Sequence, residues 1–337
     1  MLDKSESFID SAIKNHLLTH ATIEVLTACN CRCVHCYIPE HNAYGLPFET
    51  LSRIFRDLRE IGVFEITFTG GELFVRSDAC EILKTARNLG FNLQLFSNVS
   101  LLTRSQIAEL SKMYIYNISC TVFSLVPQIH DAITGVPGSH EKTLENIELL
   151  REYNVPVEIK TIIMKANADA YVDLIPYCAE RNIKYFATTN IFPKQNKEIL
   201  PTEMQLSDFE LKKVLSDIDP LRNFDVPRNL TKNEYICNSI HHSVYIDCKG
   251  DVFPCSLLPL KLGSVLDESI SAIWNDKSRF RGVLDYTWFD VPECWNCKSK
   301  KFCYRCTGIA YAESNSLLEK DISNCNISVI RAGVYEM

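Results

Sequence analysis

The sequence specifies an α/β chain: an incomplete (β/α)6, TIM-like barrel followed by a small cysteine-rich domain. Three observations predict this. Between Ala21 and Thr188, short β-rich runs alternate with segments of helical periodicity, the signature of βα units around a parallel sheet. A proline-containing stretch then interrupts the alternation. From Cys237 to Cys325 the chain is rich in cysteine, turn residues and aromatics, and the alternation does not return.

The runs ATIEVL (21–26), FEITFT (64–69), NLQLFS (92–97), YNISCTV (116–122), VPVEIKTIIM (155–164) and IKYFATT (183–189) are read as the six strands. PFETLSRIFRDLREIG and SHEKTLENIELLREYN carry apolar residues at helical spacing, and Gly62 fits a helix stop. Residues 1–20 form an N-terminal extension, 21–190 the barrel and 191–233 a bridging segment with a helix near LSDFELKKVLSDI. Residues 234–337 form the C-terminal domain, whose fold is expected to depend on bound metal.

A hydrophobic content of 46% with 23% charged residues excludes a disordered chain. The net charge of -7 gives no reason to expect a nucleic-acid partner, which calls for a basic surface. The first residues lack the apolar core of a signal peptide, and no stretch approaches the roughly 18 apolar residues of a membrane span. A cytoplasmic location follows as the expectation. Thiols stay reduced there, so the 15 cysteines are read as metal ligands and core residues rather than disulfides.

Directly after the first strand, TACNCRCVHCY sets Cys29, Cys33 and Cys36 in the spacing C-x3-C-x2-C. Four-iron clusters are normally held by four thiolates, so three in one loop leave one iron open to another ligand. A zinc loop is the alternative, although zinc loops usually come as two C-x2-C pairs. Cys31 can replace Cys29 in a tighter loop, and is otherwise a free thiol. One βα unit later TFTGGELFV ends a strand on Gly70, Gly71 and Glu72, where backbone can approach a ligand and a carboxylate can meet an ammonium group.

CNCRCVHCY resembles the cluster loop of the radical S-adenosylmethionine (SAM) superfamily, written CNxxCxHCY in its peptide-modifying branch. The resemblance implies that Cys29, Cys33 and Cys36 bind a [4Fe–4S] cluster whose open iron takes the amino and carboxylate groups of SAM. It places Tyr37 near the adenine and Gly70, Gly71 and Glu72 at the methionyl amino group, although Leu73 stands where proline is usual. SNVSLL resembles the family's TNG-type turn, with Asn98 as a polar contact. TVFSLVPQIHDAITGVPGSHEKTLENI resembles a segment of many peptide maturases, which implies a ribose contact for Ser124 and structural roles for His130 and Asp131. Met164, at the end of the fifth strand, is placed against adenine or in the core.

The later cysteines follow the spacings C237-x12-G250-x4-C255, then C294-x2-C297-x5-C303-x2-C306, then Cys325. This resembles the SPASM domain, an auxiliary-cluster module that follows the barrel in peptide- and protein-modifying members of the superfamily. The last pair departs from the family's C-x3-C. By that pattern Cys294, Cys297, Cys303 and Cys325 hold one auxiliary [4Fe–4S] cluster, and Cys237, Cys255 and Cys306 hold the other. Cys248 is a candidate fourth ligand, and an open iron is the rival. Three [4Fe–4S] clusters and SAM are thus the implied cofactors; the alternative for this region is a zinc ribbon. Cys80, Cys120 and Cys178 are read as core residues.

The likeness implies reductive cleavage of SAM to a 5′-deoxyadenosyl radical and, as the leading function, modification of a ribosomally synthesised peptide by cross-link, thioether formation or epimerisation. Anaerobic sulfatase (formylglycine) maturation is an alternative, but those enzymes carry an acid where Ser256 stands. Haem-precursor decarboxylation is a second alternative, and an iron–sulfur sensor or scaffold is the non-catalytic one. The expected partners are a peptide or protein substrate and a low-potential electron donor such as flavodoxin or ferredoxin. Only about twenty residues precede the barrel, so leader recognition would need a separate protein or the barrel surface.

Overall fold

The computed structural model describes residues 8–336 except Tyr44 and Lys197; the first seven residues of the N-terminal extension lie outside it. The six strands fall where the alternation placed them: β1 (His20–Glu24), β2 (Glu65–Thr69), β3 (Asn92–Ser97), β4 (Asn117–Thr121), β5 (Val157–Ile162) and β6 (Lys184–Thr188). Each pairs in parallel with its sequence neighbour. Helices α1 (Phe8–Asn15), α2 (Phe48–Glu60), α3 (Ala79–Asn88), α4 (Arg104–Leu110), α5 (Pro127–Thr134), α6 (Ser139–Glu152) and α7 (Leu174–Glu180) precede, connect and cover them. In α2, Leu51, Ile54, Phe55 and Leu58 recur at helical spacing and are buried, and Gly62 takes φ +103°, the left-handed turn that ends the helix.

The sheet does not stop at the barrel. Strand β7 (Ser243–Ile246) pairs in parallel with β1, and β8 (Asp251–Phe253) and β9 (Gly263–Ser264) follow antiparallel, giving the order β6-β5-β4-β3-β2-β1-β7-β8-β9. The β7–β8 hairpin of the C-terminal domain, YIDCKGDVF, is therefore grafted onto the first barrel strand. One apolar core runs through both parts, joining Ile23, Ile66 and Leu95 to Val244, Val252, Ile273 and Trp274. Helix α9 (Ile270–Asn275) supplies the last two.

The bridging segment forms α8 (Asp208–Ile218), started by a capping box of Ser207 and Glu210. Val214 and Ile218 pack on Ile163, Tyr171 and Ala187 beside the open barrel edge. After α10 (Pro292–Trp295) and α11 (Thr307–Ser314), α12 (Ile322–Tyr335) returns to α8. There Arg331 donates from Nε and Nη2 to the Asp219 carboxylate at 2.6 and 2.9 Å and from Nη1 to the Phe302 carbonyl. Arg222 is sandwiched between the rings of Phe186 and Phe224, at 3.9 and 4.1 Å. These contacts tie barrel, bridge and C-terminal domain together. Among the described residues no helix is long and apolar enough to cross a membrane.

Candidate active site and cluster loops

The loop after β1 carries Cys29, Cys33 and Cys36 to the C-terminal end of the strands, where all three line one cavity of about 390 Å³. Its shape is fixed from two sides. The Arg32 and Val34 N–H groups donate to the carbonyls of Thr134 and Ile133 at 2.8 and 3.0 Å. On the other side Gly71 and Glu72 donate backbone N–H to Leu26 and Ala28, both at 2.9 Å. The two glycines are required by contact: a Cβ on Gly70 would sit 2.1 Å from the Leu26 oxygen, and one on Gly71 2.1 Å from the Ala28 oxygen. The first fastening is braced by Asp131, on the same helix as Ile133 and Thr134, whose carboxylate accepts from the Gly138 and His140 N–H groups and the Ser139 hydroxyl.

Gly70, Gly71, Tyr37 and Asn98 also line this cavity. The Asn98 amide donates to Asn30 Oδ1 at 2.9 Å and reaches Cys31 Sγ at 3.6 Å. Cys31 itself is buried. The side chain of Glu72 is fully enclosed: one oxygen accepts from the Phe74 N–H and the Ser97 hydroxyl, the other from the Asn98 N–H. Burial raises its pKa against these bonds. In this structure Glu72 braces the turn that presents Asn98, while the glycines face the cavity.

Ser124 and Met164 are not brought to it. Ser124 is buried with its hydroxyl accepting from the Val126 N–H, and Met164 packs with Phe123, Ile133 and Ile191. A motif match fixes the segment, but the end of each strand decides which side chains turn inward. His130 accepts from the Phe123 N–H on Nδ1 and lines the cavity wall. Cys120 and Cys178 are buried and Cys80 half-buried, as core residues.

Lys160 was not singled out from the sequence. It projects from β5 into the same cavity, 3.9 Å over the Phe96 ring and 3.6 Å from Glu158, with its pKa lowered by burial. A charge pair at 158 and 160, on one face of an otherwise apolar strand, was the available signal.

A second cavity of about 680 Å³ opens between the cluster loop, the β7–β8 hairpin and α11. Tyr37 and Phe192 line both. Glu24, at the end of β1, faces it: buried, it accepts from the Tyr245 hydroxyl at 2.6 Å, and burial raises its pKa. Asp247, Cys255 and Ser256 share this wall. Two carboxylates, Glu24 and Asp247, thus line the cavity on which Ser256 stands.

The C-terminal cysteines separate into two groups. Cys255 is pushed up by burial and then by Cys237, and Cys306 by burial, to about 12, with Cys255 adding to it. Cys325 is pushed up to about 11 by burial and then by Cys303, Cys294 and, less, Cys297. Cys248 lines the same cavity as Cys255, with its thiol pushed up to about 12 by burial and then by Glu24. Among the described residues no three Cys, His, Asp or Glu side chains are drawn together tightly enough to hold a single metal ion.

The family model of the radical SAM superfamily matches residues 23–167, and that of the SPASM iron–sulfur cluster-binding domain matches 237–307. The chain is 26% identical over 336 residues to the AdoMet-dependent heme synthase of Methanosarcina barkeri, covering 88% of this chain and 93% of that one. It is 24% identical to the PqqA peptide cyclase of Bradyrhizobium diazoefficiens, covering 93% and 87%. In fold it is similar to Streptococcus suis SuiB bound to precursor peptide SuiA, with a TM-score of 0.74 and 17% identity over 94% of this chain and 79% of that one. The chain belongs to the radical SAM superfamily, with a SPASM-type iron–sulfur cluster-binding domain following its barrel.

Proposed function

We propose that this radical SAM enzyme modifies a peptide in the larger cavity, between a SAM-binding cluster on Cys29, Cys33 and Cys36 and an auxiliary cluster on Cys237, Cys255 and Cys306. A second auxiliary cluster is assigned to Cys294, Cys297, Cys303 and Cys325. The donor sets suit iron–sulfur clusters: each is a group of thiols, and Cys29, Cys33 and Cys36 line one cavity at the strand ends with room beside them for a further ligand. When bound, the first cluster and SAM supply a 5′-deoxyadenosyl radical that abstracts hydrogen. Gly70, Gly71 and Asn98 present backbone and amide groups to the cofactor cavity, and Tyr37 forms the wall between it and the substrate. Phe192, Phe253 and Leu258 give the larger cavity apolar surface for the substrate to cover. The Cys237 set would take its fourth ligand from Cys248, on the same cavity wall as Cys255, or would keep an open iron for the substrate.

The observation that carries the peptide reading is the charge of this cavity. Glu24, Glu40, Asp247 and Glu313 line it against Lys194 and Lys249. Such a wall repels a haem precursor, which is itself rich in carboxylates, and accepts the N–H groups of a peptide. The test gives the anaerobically reconstituted holoenzyme SAM, dithionite and one of three probes: a short peptide encoded beside its gene, a sulfatase-type peptide with Cys-x-Pro-x-Arg, or a carboxylate-bearing tetrapyrrole. A mass change in the first, with stoichiometric 5′-deoxyadenosine, is expected. Formylglycine in the second or loss of carbon dioxide from the third, with the first unchanged, overturns the reading.

A further inference from the structure

Arg305 lies between Cys303 and Cys306, and so between a cysteine of each auxiliary group. It is 6% exposed. Nη2 donates to the carbonyls of Leu317 and Glu319 at 2.6 and 2.7 Å. Nε and Nη1 are fully enclosed and find no acceptor among the described residues. A guanidinium has only donors and keeps its charge, and a buried charged group with unmet donors is strongly disfavoured. Something at this place must accept those protons.

The surroundings say what. The segment that holds Nη2 runs between two apolar clusters: Leu317 packs against the one that Cys237 and Cys255 also join, and Leu318 against the one that Cys294 joins. We infer that the Nε–H and Nη1–H of Arg305 donate to the sulfur atoms of an auxiliary cluster at this partition and hold its reduction potential up. The inference rests on the cluster assignment proposed above. Hydrogen bonds to cluster sulfur and nearby positive charge both favour the reduced, more negative state. The departure to C-x2-C places this cation immediately before Cys306, at the junction of the two sets.

The test is an EPR-monitored redox titration of reconstituted wild type, Arg305→Lys and Arg305→Met. For Arg305→Met, the reduced-to-oxidised ratio of one auxiliary cluster at fixed potential should fall at least tenfold, about 59 mV for one electron. Arg305→Lys should fall between, and the cluster on Cys29, Cys33 and Cys36 should not move. Wild type exchanged into D2O should show an exchangeable proton coupled to the reduced auxiliary cluster by electron–nuclear double resonance. Unmoved auxiliary potentials at full iron content, or no such proton in wild type, overturn the inference. If Arg305→Met fails to bind iron, the wild-type proton signal decides alone. Zinc in place of iron would instead overturn the cluster assignment.

Discussion

Replacing Gly71 by alanine tests how the glycine pair shapes the cofactor cavity. Its φ is not positive, so alanine brings no backbone strain, and the effect is one of contact alone. The new Cβ would lie 2.1 Å from the Ala28 oxygen and 2.5 Å from the Thr27 oxygen, where real carbons stay beyond 3.0 Å. Both obstacles are backbone, so turn and loop must separate by about 1 Å. Overpacking of this kind costs about 1–3 kcal/mol. The two backbone bonds from Gly71 and Glu72 to the loop add about 0.5–1.5 kcal/mol each if lost. Against a typical stability of about 5–15 kcal/mol the fold survives, but Cys29 begins one residue beyond Ala28. A displacement of about 1 Å in a reacting geometry costs on the order of 100-fold in rate. Gly71→Ala should therefore keep its auxiliary iron and lose about 100-fold in dithionite-driven formation of 5′-deoxyadenosine, measured by chromatography. Cleavage within threefold of wild type would refute the packing argument.

Three further outcomes follow from the same structure. Asp219→Asn leaves the Arg331 charge buried without its partner and should cost about 3–5 kcal/mol, seen as lost hydrogen-exchange protection of α12 with the barrel strands unchanged; full protection would contradict the clamp. Burial, and then repulsion by His242, holds the His20 pKa at about 4, so the folded chain binds fewer protons there than the unfolded one between about pH 6.5 and 4. Its stabilising effect is whole above pH 6.5 and lost as pH falls through that window, so His20→Gln should gain on wild type by up to about 1.4 kcal/mol per pH unit in denaturation midpoints taken from pH 7.5 to 5. A constant difference across that range would contradict the sign. Reconstituted protein should hold about twelve irons per chain in three four-iron clusters, and one or two equivalents of zinc without iron would contradict all three sites.

The barrel strands were legible because each is short, apolar and bounded by helical segments, and the observed ends differ from the expected ones by one or two residues at most positions. The pairing of β1 with β7 was not. It joins residues some 220 positions apart, and nothing local in ATIEVL or SVYI encodes the partner. With it went the larger cavity, since Glu24 and Tyr245 meet only through that pairing. The hairpin's graft onto β1 sets Cys248 on one cavity wall with Glu24 and Cys255, a juxtaposition that cysteine spacing does not carry. Ser124 and Met164 sit in the expected segments with side chains turned inward to the backbone and the core, a choice that motif spacing does not specify.

The proposed chemistry begins at the loop after β1, on the cluster that would cleave SAM. It is tested most directly by replacing Cys29, Cys33 and Cys36 together with alanine and measuring iron and 5′-deoxyadenosine under dithionite. The triple variant should form no 5′-deoxyadenosine and retain about eight irons on the two auxiliary clusters. Continued formation of 5′-deoxyadenosine by the triple variant would place the open iron elsewhere and contradict it.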